Sequence, residues 1–462
     1  MVNLKINVER FVIIMLLLIA IIITIGCKTK IYASNKSLDT SNLRYTTFKI
    51  PSLINEMNIV VVRKNELLLV SLNDKSENIV LDSIGSFSRP LISPNKKYVS
   101  YLKDKVLYIT TDKLKHLKVS ENISELSFSW QDKNTLLYSP ISGGLYVYDV
   151  INKTSIPYLN NEYNYQNITL NNKGEIYAEQ YLFYKKNGYD YRDDFGILFF
   201  NPFTKGKKIV VKSIPSKIDT GGDLGMYPII TGISNDNNYI YIWEHPHAGS
   251  LAADGVPLAV YDILRNKLIE YTNPKIISLA YKDNLFPNPK NSKYLTLIYG
   301  EGRFMGNNKN LIVLDILTGK FQSISPKGQT SMTPFYLNDG QKILYASSKE
   351  QKNTAGDLNL WLSSGNHHIF SISPTTKQIN QLTSNPNYFD FSPTYINTTP
   401  LNMVNNHFLF FRSDKTENVS IWKYDDGHET LLANGLIFYD DMNYPIQNYY
   451  GHFNTDLFTN IR

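Results

Sequence analysis

The sequence predicts an all-β fold, a β-propeller of four-stranded antiparallel blades, eight by the repeat arithmetic with seven as the alternative. Three observations predict it. Tyr (33) and Phe (22) far outnumber Trp (4) among 462 residues, and aromatic side chains favour strands. Short alternating runs recur along the chain, each closed by Asp, Asn, Gly or Lys turn chemistry. No helical period extends beyond a few turns. With 42% hydrophobic and only 19% charged residues, the chain is neither intrinsically disordered nor a coiled coil. A net charge of +6 with interspersed signs leaves no nucleic-acid footprint. One cysteine excludes an intramolecular disulfide and a thiolate zinc site.

The first element is an address. Lys5 and Arg10 precede an apolar run from Phe11 to Ile25, which ends at Gly26-Cys27. A basic start, an apolar core and a small residue before the cut describe a secretory signal over residues 1–26. The run is short for a spanning helix, which needs about 20 apolar residues. The stretch Ile23-Thr24-Ile25-Gly26-Cys27 resembles a bacterial lipobox, with Thr24 where Leu is commonest. That resemblance implies a diacylglycerol on the Cys27 thiol, cleavage before it, and an extracytoplasmic protein lipid-anchored to the cell membrane. The alternative is an uncleaved anchor helix with an incidental cysteine. Residues 27–45 are polar and aperiodic and read as a flexible tether, leaving 46–462 for the propeller.

Two phrases then alternate. One is a strand closed by an acidic turn with Lys: Leu145-Tyr-Val-Tyr-Asp-Val-Ile-Asn-Lys153, Leu258-Ala-Val-Tyr-Asp-Ile-Leu-Arg-Asn-Lys267 and Leu311-Ile-Val-Leu-Asp-Ile-Leu-Thr-Gly-Lys320. The other is a polar turn leading into a strand that ends on an aromatic: Ser93-Pro-Asn-Lys-Lys-Tyr-Val-Ser-Tyr101, Ser234-Asn-Asp-Asn-Asn-Tyr-Ile-Tyr-Ile-Trp243 and Leu337-Asn-Asp-Gly-Gln-Lys-Ile-Leu-Tyr345. Joined, they give a unit of strands a to d. Inner strands are expected before Ser93, Trp130, Asn171, Ser234, Pro289, Leu337 and Pro393. An incomplete unit over Asn58–Leu81 lacks strand a, which either Thr46–Ile50 or Tyr449–Ile461 could supply.

These turns resemble the repeat of TolB-like propellers, and they are similar to the propeller domain of prolyl oligopeptidase-type enzymes. The resemblance spans roughly residues 57–435. It implies a propeller and, on the TolB side, an envelope scaffold role. The peptidase activity is not implied, because no Gly-x-Ser-x-Gly elbow occurs and too few residues follow the last repeat.

In an antiparallel meander, a–b and c–d loops share one end of the disc, while b–c and d–a loops share the other. The long insertions fall almost entirely in b–c loops: Gln180–Gly196, Glu244–Pro257, Gly300–Asn310, Ser347–Asn366 and Ser413–Ser420. Insertions on one face of a repeat fold build a binding surface. The candidate ligand-binding residues are Tyr191, Arg192, Asp194, Glu244, His245, His247, Arg303 and His368. Arginines suit anionic groups, tyrosines stacking, and histidines a response near pH 6–7. The competing reading is a set of solvated loops with no common focus. Glu244-His-Pro-His247 matches no zinc signature, and Asp193-Asp194 reads as a solvated acidic turn, so neither metal nor cofactor is expected. The partners expected are the membrane, through Cys27, and a protein or glycan. A binding protein is favoured over a propeller glycan lyase or hydrolase and over a scaffold, because a fold alone carries no activity.

Overall fold

The computed structural model describes residues 58–72, 78–111, 114–217, 223–252, 254–351, 367–395, 407–414, 418–436, 455–457 and 459–460. All belong to the second of two compact units, Ile50–Arg462. The signal, Cys27 and the tether expected over 1–45 lie outside the described residues, as does the Thr46–Ile50 stretch.

The chain runs through successive antiparallel meanders. The first three strands are β1 (Asn58–Arg63), β2 (Glu66–Ser71) and β3 (Ile79–Ser83). Next come β4 (Phe87–Ile92), β5 (Tyr98–Lys103), β6 (Val106–Thr111) and β7 (His116–Ser120). The third meander is β8 (Ile123–Trp130), β9 (Thr135–Pro140), β10 (Leu145–Asp149) and β11 (Thr154–Leu159). The fourth is β12 (Asn164–Leu170), β13 (Ile176–Lys186), β14 (Tyr189–Phe200) and β15 (Lys207–Lys212). The fifth is β16 (Met226–Ile233), β17 (Tyr239–Pro246), β18 (Val256–Asp262) and β19 (Lys267–Glu270), with the two-residue β20 (Ile277–Ser278) added beside β18. Then follow β21 (Leu285–Pro287), β22 (Tyr294–Tyr299), β23 (Asn310–Asp315) and β24 (Phe321–Ser323). The seventh is β25 (Gln329–Tyr336), β26 (Ile343–Lys349), β27 (His368–Ile372) and β28 (Ile379–Gln381). The last is β29 (Phe389–Tyr395), β30 (His407–Ser413), β31 (Val419–Asp425) and β32 (His428–Leu436), which the pair Arg63↔Leu436 joins to β1–β3. This is the all-β, repeated four-stranded architecture of a β-propeller.

Burial grades across each sheet. Second strands such as β5, β9 and β22 carry four consecutive buried residues, whereas fourth strands such as β7 and β11 are largely open. A strand covered on both faces must be apolar at every position, and one covered on neither need not be. First strands pack on one another in chain order, β4 on β8, β8 on β12, β12 on β16, β21 on β25 and β25 on β29. These first strands are therefore the inner ones.

Local chemistry fixes the turns. Ser93 Oγ accepts from the Tyr98 amide (3.0 Å) and donates to Asn95 Oδ1 (2.7 Å), which places Lys96 at φ 57°. Ser234 repeats the pattern with Tyr239 and Asp236. Asp315 Oδ1 accepts from the amides of Leu317 and Thr318, and Gly319 takes the left-handed position.

The structure corrects two expectations. Gln180–Gly196 is not a loop: β13 and β14 continue pairing from Ile176↔Phe200 to Lys186↔Tyr189, closing at Asn187-Gly188 with both residues at positive φ. An Asn-Gly pair between paired runs is a hairpin turn. Pro393 does not follow its inner strand but lies within β29, at a bulge.

Candidate functional site

The insertions after β13 and β17 meet. Arg192 and Asp194, two apart on β14, leave the ribbon on one face. Arg192 Nε and Nη2 both donate to Asp194 Oδ1 (2.9 and 2.7 Å), and Nη1 donates to Gln166 Oε1 (3.2 Å). The guanidinium lies 4.1 Å over the Tyr181 ring and 6.0 Å from that of Tyr227. Burial opposes its charge, but the bond to Asp194 wins and raises its pKa. Tyr227 carries the histidines, with ring centroids 4.8 Å from His245 and 5.2 Å from His247. Burial pushes the His245 pKa down. Its Nδ1 lies 2.8 Å from the Pro246 carbonyl, and His247 Nε2 lies 3.2 Å from that of Ile214.

Beneath this cluster is Glu179, 2% exposed on β13. Its carboxylate accepts from Gln166 Nε2, Asn167 Nδ2 and the Ile230 amide, each at 2.7 Å. The donors belong to two neighbouring inner strands, β12 and β16. Desolvation pushes its pKa up to about 7 despite those bonds.

Gln166 also lines a cavity of about 690 Å³ between inner strands β4, β8 and β12. Leu102, Ile123, Leu126 and Ile141 form its apolar wall. Ser86, Ser88, Asp104, Lys105, Ser124 and Glu125 supply polar groups. Asp104 and Lys105 form a b–c turn, Ser86 directly precedes inner strand β4 and Ile123 begins β8, so the cavity lies at the end that carries the insertions. Ser124 and Ser127 hydrogen-bond the Tyr181 phenol, which ties the cavity wall to the Arg192 stack.

No family model matches the chain, and no curated protein matches it. Among solved structures, dihydro-heme d1 dehydrogenase NirN in complex with DHE superposes with a TM-score of 0.52, at 14% identity over 86% of this chain and 77% of that one. TolB from Acinetobacter baumannii matches at 12% identity over 70% and 62%, with a TM-score of 0.29. A prolyl endopeptidase structure matches at 11% over 77% and 55%, with a TM-score of 0.42. TolB and prolyl endopeptidase structures are thus among those the chain resembles, as the repeat suggested. At these identities the likeness bears on the fold alone, and superpositions below 0.5 decide nothing further.

The other candidates go elsewhere. Tyr191 stacks on Tyr184 (5.6 Å) on the ribbon face opposite Arg192. Glu244 turns away from His245 towards Glu270, and burial with that carboxylate lifts its pKa to about 7. Arg303 of the Gly300–Asn310 insertion pairs with Asp254 of the Glu244–Pro257 insertion through two bonds of 2.9 and 2.8 Å. His368 Nδ1 lies 3.8 Å from Asp390, which Arg412 clamps at 2.6 and 3.0 Å. Tyr181, Tyr227, Gln166 and Glu179 were not singled out from the sequence. They sit inside strands, where a polar residue signals a site only once its neighbours are known.

Proposed function

We propose that the protein is an extracytoplasmic binding protein. In this reading it is an eight-bladed propeller held to the membrane by a lipid on Cys27, and it takes a ligand or partner protein on its b–c face. Seven complete meanders plus β1–β3, whose inner edge receives Thr459 through its pairing with Val61, support the count of eight. One observation carries the binding reading: a cavity of about 690 Å³ and the Arg192–Tyr181–Tyr227–His245 cluster share Gln166 and Ser124 at the elaborated end. The volume falls within the range of small-molecule sites, about 300–1,000 Å³.

Retention on glycan and peptide arrays tests this. Arg192→Ala and His245→Ala should lose retention at least tenfold while the proteins remain folded by circular dichroism. Chemical conversion of a retained ligand would replace binding by catalysis. For the anchor, a lipid on Cys27 should place the protein in the membrane fraction, because acyl chains contribute about 0.8 kcal/mol per buried CH₂, and Cys27→Ala should leave an unprocessed precursor. Normal processing and membrane fractionation of that variant would dismiss the lipid.

A further inference from the structure

Four successive meanders expose an apolar side chain at the same place, the c–d turn after β10, β14, β18 and β23. In each turn the first residue caps the loop. Asp149 Oδ1 accepts from the Ile151 amide (2.8 Å), Asn201 Oδ1 from Phe203 (2.9 Å), Asp262 Oδ1 from Arg265 (2.9 Å) and Asp315 Oδ1 from Leu317 (3.1 Å). The residue after the cap turns inwards, as the buried Val150 and Ile316 do, and the next turns out. That outward position holds Ile151, Phe203, Leu264 and Leu317, which are 61, 76, 71 and 40% exposed. Exposed apolar residues scattered singly are ordinary, but the same position used four times running is a pattern. Each turn then closes on an exposed lysine: Lys153, Lys205, Lys267 and Lys320. None of these ammonium groups pairs with a carboxylate among the described residues. The turn acids face backbone amides, and Asp262 and Asp315 also pair with Arg265 and Lys293.

Contacts between neighbouring meanders hold these turns on one side. Lys205 lies 5.2 Å from the Tyr158 ring of β11, Lys208 Nζ donates to Asn266 Oδ1 (2.8 Å), and the Tyr271 hydroxyl donates to the Ile316 carbonyl (2.8 Å). β1 begins at the equivalent end, because Asn58 pairs with Ser71, the last residue of β2 before its own c–d turn. The chain that precedes β1, Cys27 included, therefore joins the fold on this side, opposite the b–c insertions. Set one to a meander, the four apolar tips offer separate points rather than the packed apolar centre of a protein interface. A lipid headgroup layer needs only such points. Each apolar side chain inserts on its own, while a neighbouring lysine lays its stem along the surface and brings its ammonium to a phosphate. Lysines without carboxylate partners complement an anionic leaflet.

We propose that the turns after β10, β14, β18 and β23 rest on an anionic lipid surface with their apolar tips in the headgroup layer, so that the b–c face points away from the membrane. This rests on reading the protein as a membrane-held binder. Vesicles of equal phosphatidylglycerol and phosphatidylcholine, carrying a nitroxide-labelled lipid, test it with the full chain. A bimane label on Phe203→Cys should be quenched roughly threefold more than one on Tyr189→Cys, which lies at the tip of the β13–β14 ribbon on the opposite side. On vesicles of phosphatidylcholine alone that excess should fall roughly threefold. Ile151→Asp together with Leu264→Asp should remove the excess while the protein remains folded by circular dichroism, since both side chains are exposed. Equal quenching at 203 and 189, or an excess that survives the two aspartates, overturns the proposal. A blue shift of the 203 label without vesicles, growing with protein concentration, overturns it in favour of a second copy of this chain. Labelling of the wild-type chain would reveal a free Cys27 thiol and dismiss the lipid anchor, while the 203–189 difference above that background still decides the docking.

Discussion

Glu179 holds donors from two inner strands where water does not reach, and its charge is therefore expensive. Its pKa of about 7 in the folded chain stands above the ordinary 4.5, so the native state keeps this proton longer than the unfolded chain does. The sign follows by linkage: the contribution is fully present below pH 4.5 and is lost as pH rises through about 7, up to about 3 kcal/mol in all. Glu179→Gln should flatten this part of the profile. Urea denaturation at pH 5 and pH 8 measures it, and equal pH slopes for the two proteins would remove Glu179 as the source. The variant's lower stability at pH 5 is not the readout, because a Gln amide faces one of the present donors with a donor. Alternation along strands also governs how much of the site was legible. The types Arg192, Asp194 and His245 were readable as loop candidates. Their partition was not, since Tyr191 and Glu244 sit one residue away and leave by the opposite face.

Turns carry their own instructions at the scale of the element. Ser93, Ser234 and Asp315 each bond backbone groups two to five residues on, which is why the repeat and its inner strands could be placed from the sequence. Whether an insertion is loop or strand is decided by its cross-strand partners, so the β13–β14 ribbon was not legible in the same way. The Gly300–Asn310 connection shows a third case, an irregular loop held from inside. Lys309 is 1% exposed, and its ammonium donates to the carbonyls of Glu301 (2.9 Å), Gly302 (2.7 Å) and Asn307 (3.3 Å). Burial lowers its pKa to about 8. Lys309→Met leaves those carbonyls without their donor and should cost about 1–3 kcal/mol. Limited proteolysis should then cut first between residues 301 and 308. A cleavage pattern and stability equal to wild type would mean that the loop holds its shape without the lysine.

At the scale of the whole molecule, residues 459–460 lie along the inner edge of β1. Thr459 pairs with Val61, the Asn460 amide donates to the Val60 carbonyl (3.3 Å), and Asn460 Oδ1 accepts from the Val60 amide. The preceding turn reaches a different sheet: Thr455 Oγ1 donates to Asp283 Oδ2 (3.4 Å), and Lys282 pairs with Asp456. One segment therefore ties β1 to the turn before β21. Val60 and Val61 are fully buried in its presence. Removing Thr455–Arg462 uncovers them together with the inner edge of β1, and exposing two valines costs about 3 kcal/mol. An uncovered strand edge is also a template for pairing with another chain. The truncated protein should melt several degrees lower and show concentration-dependent association in sedimentation, whereas Arg462→Ala should do neither. If the truncated chain melts like the full one and stays monomeric, the inner edge of β1 is covered by another segment, and Thr46–Ile50 becomes the stretch to delete next.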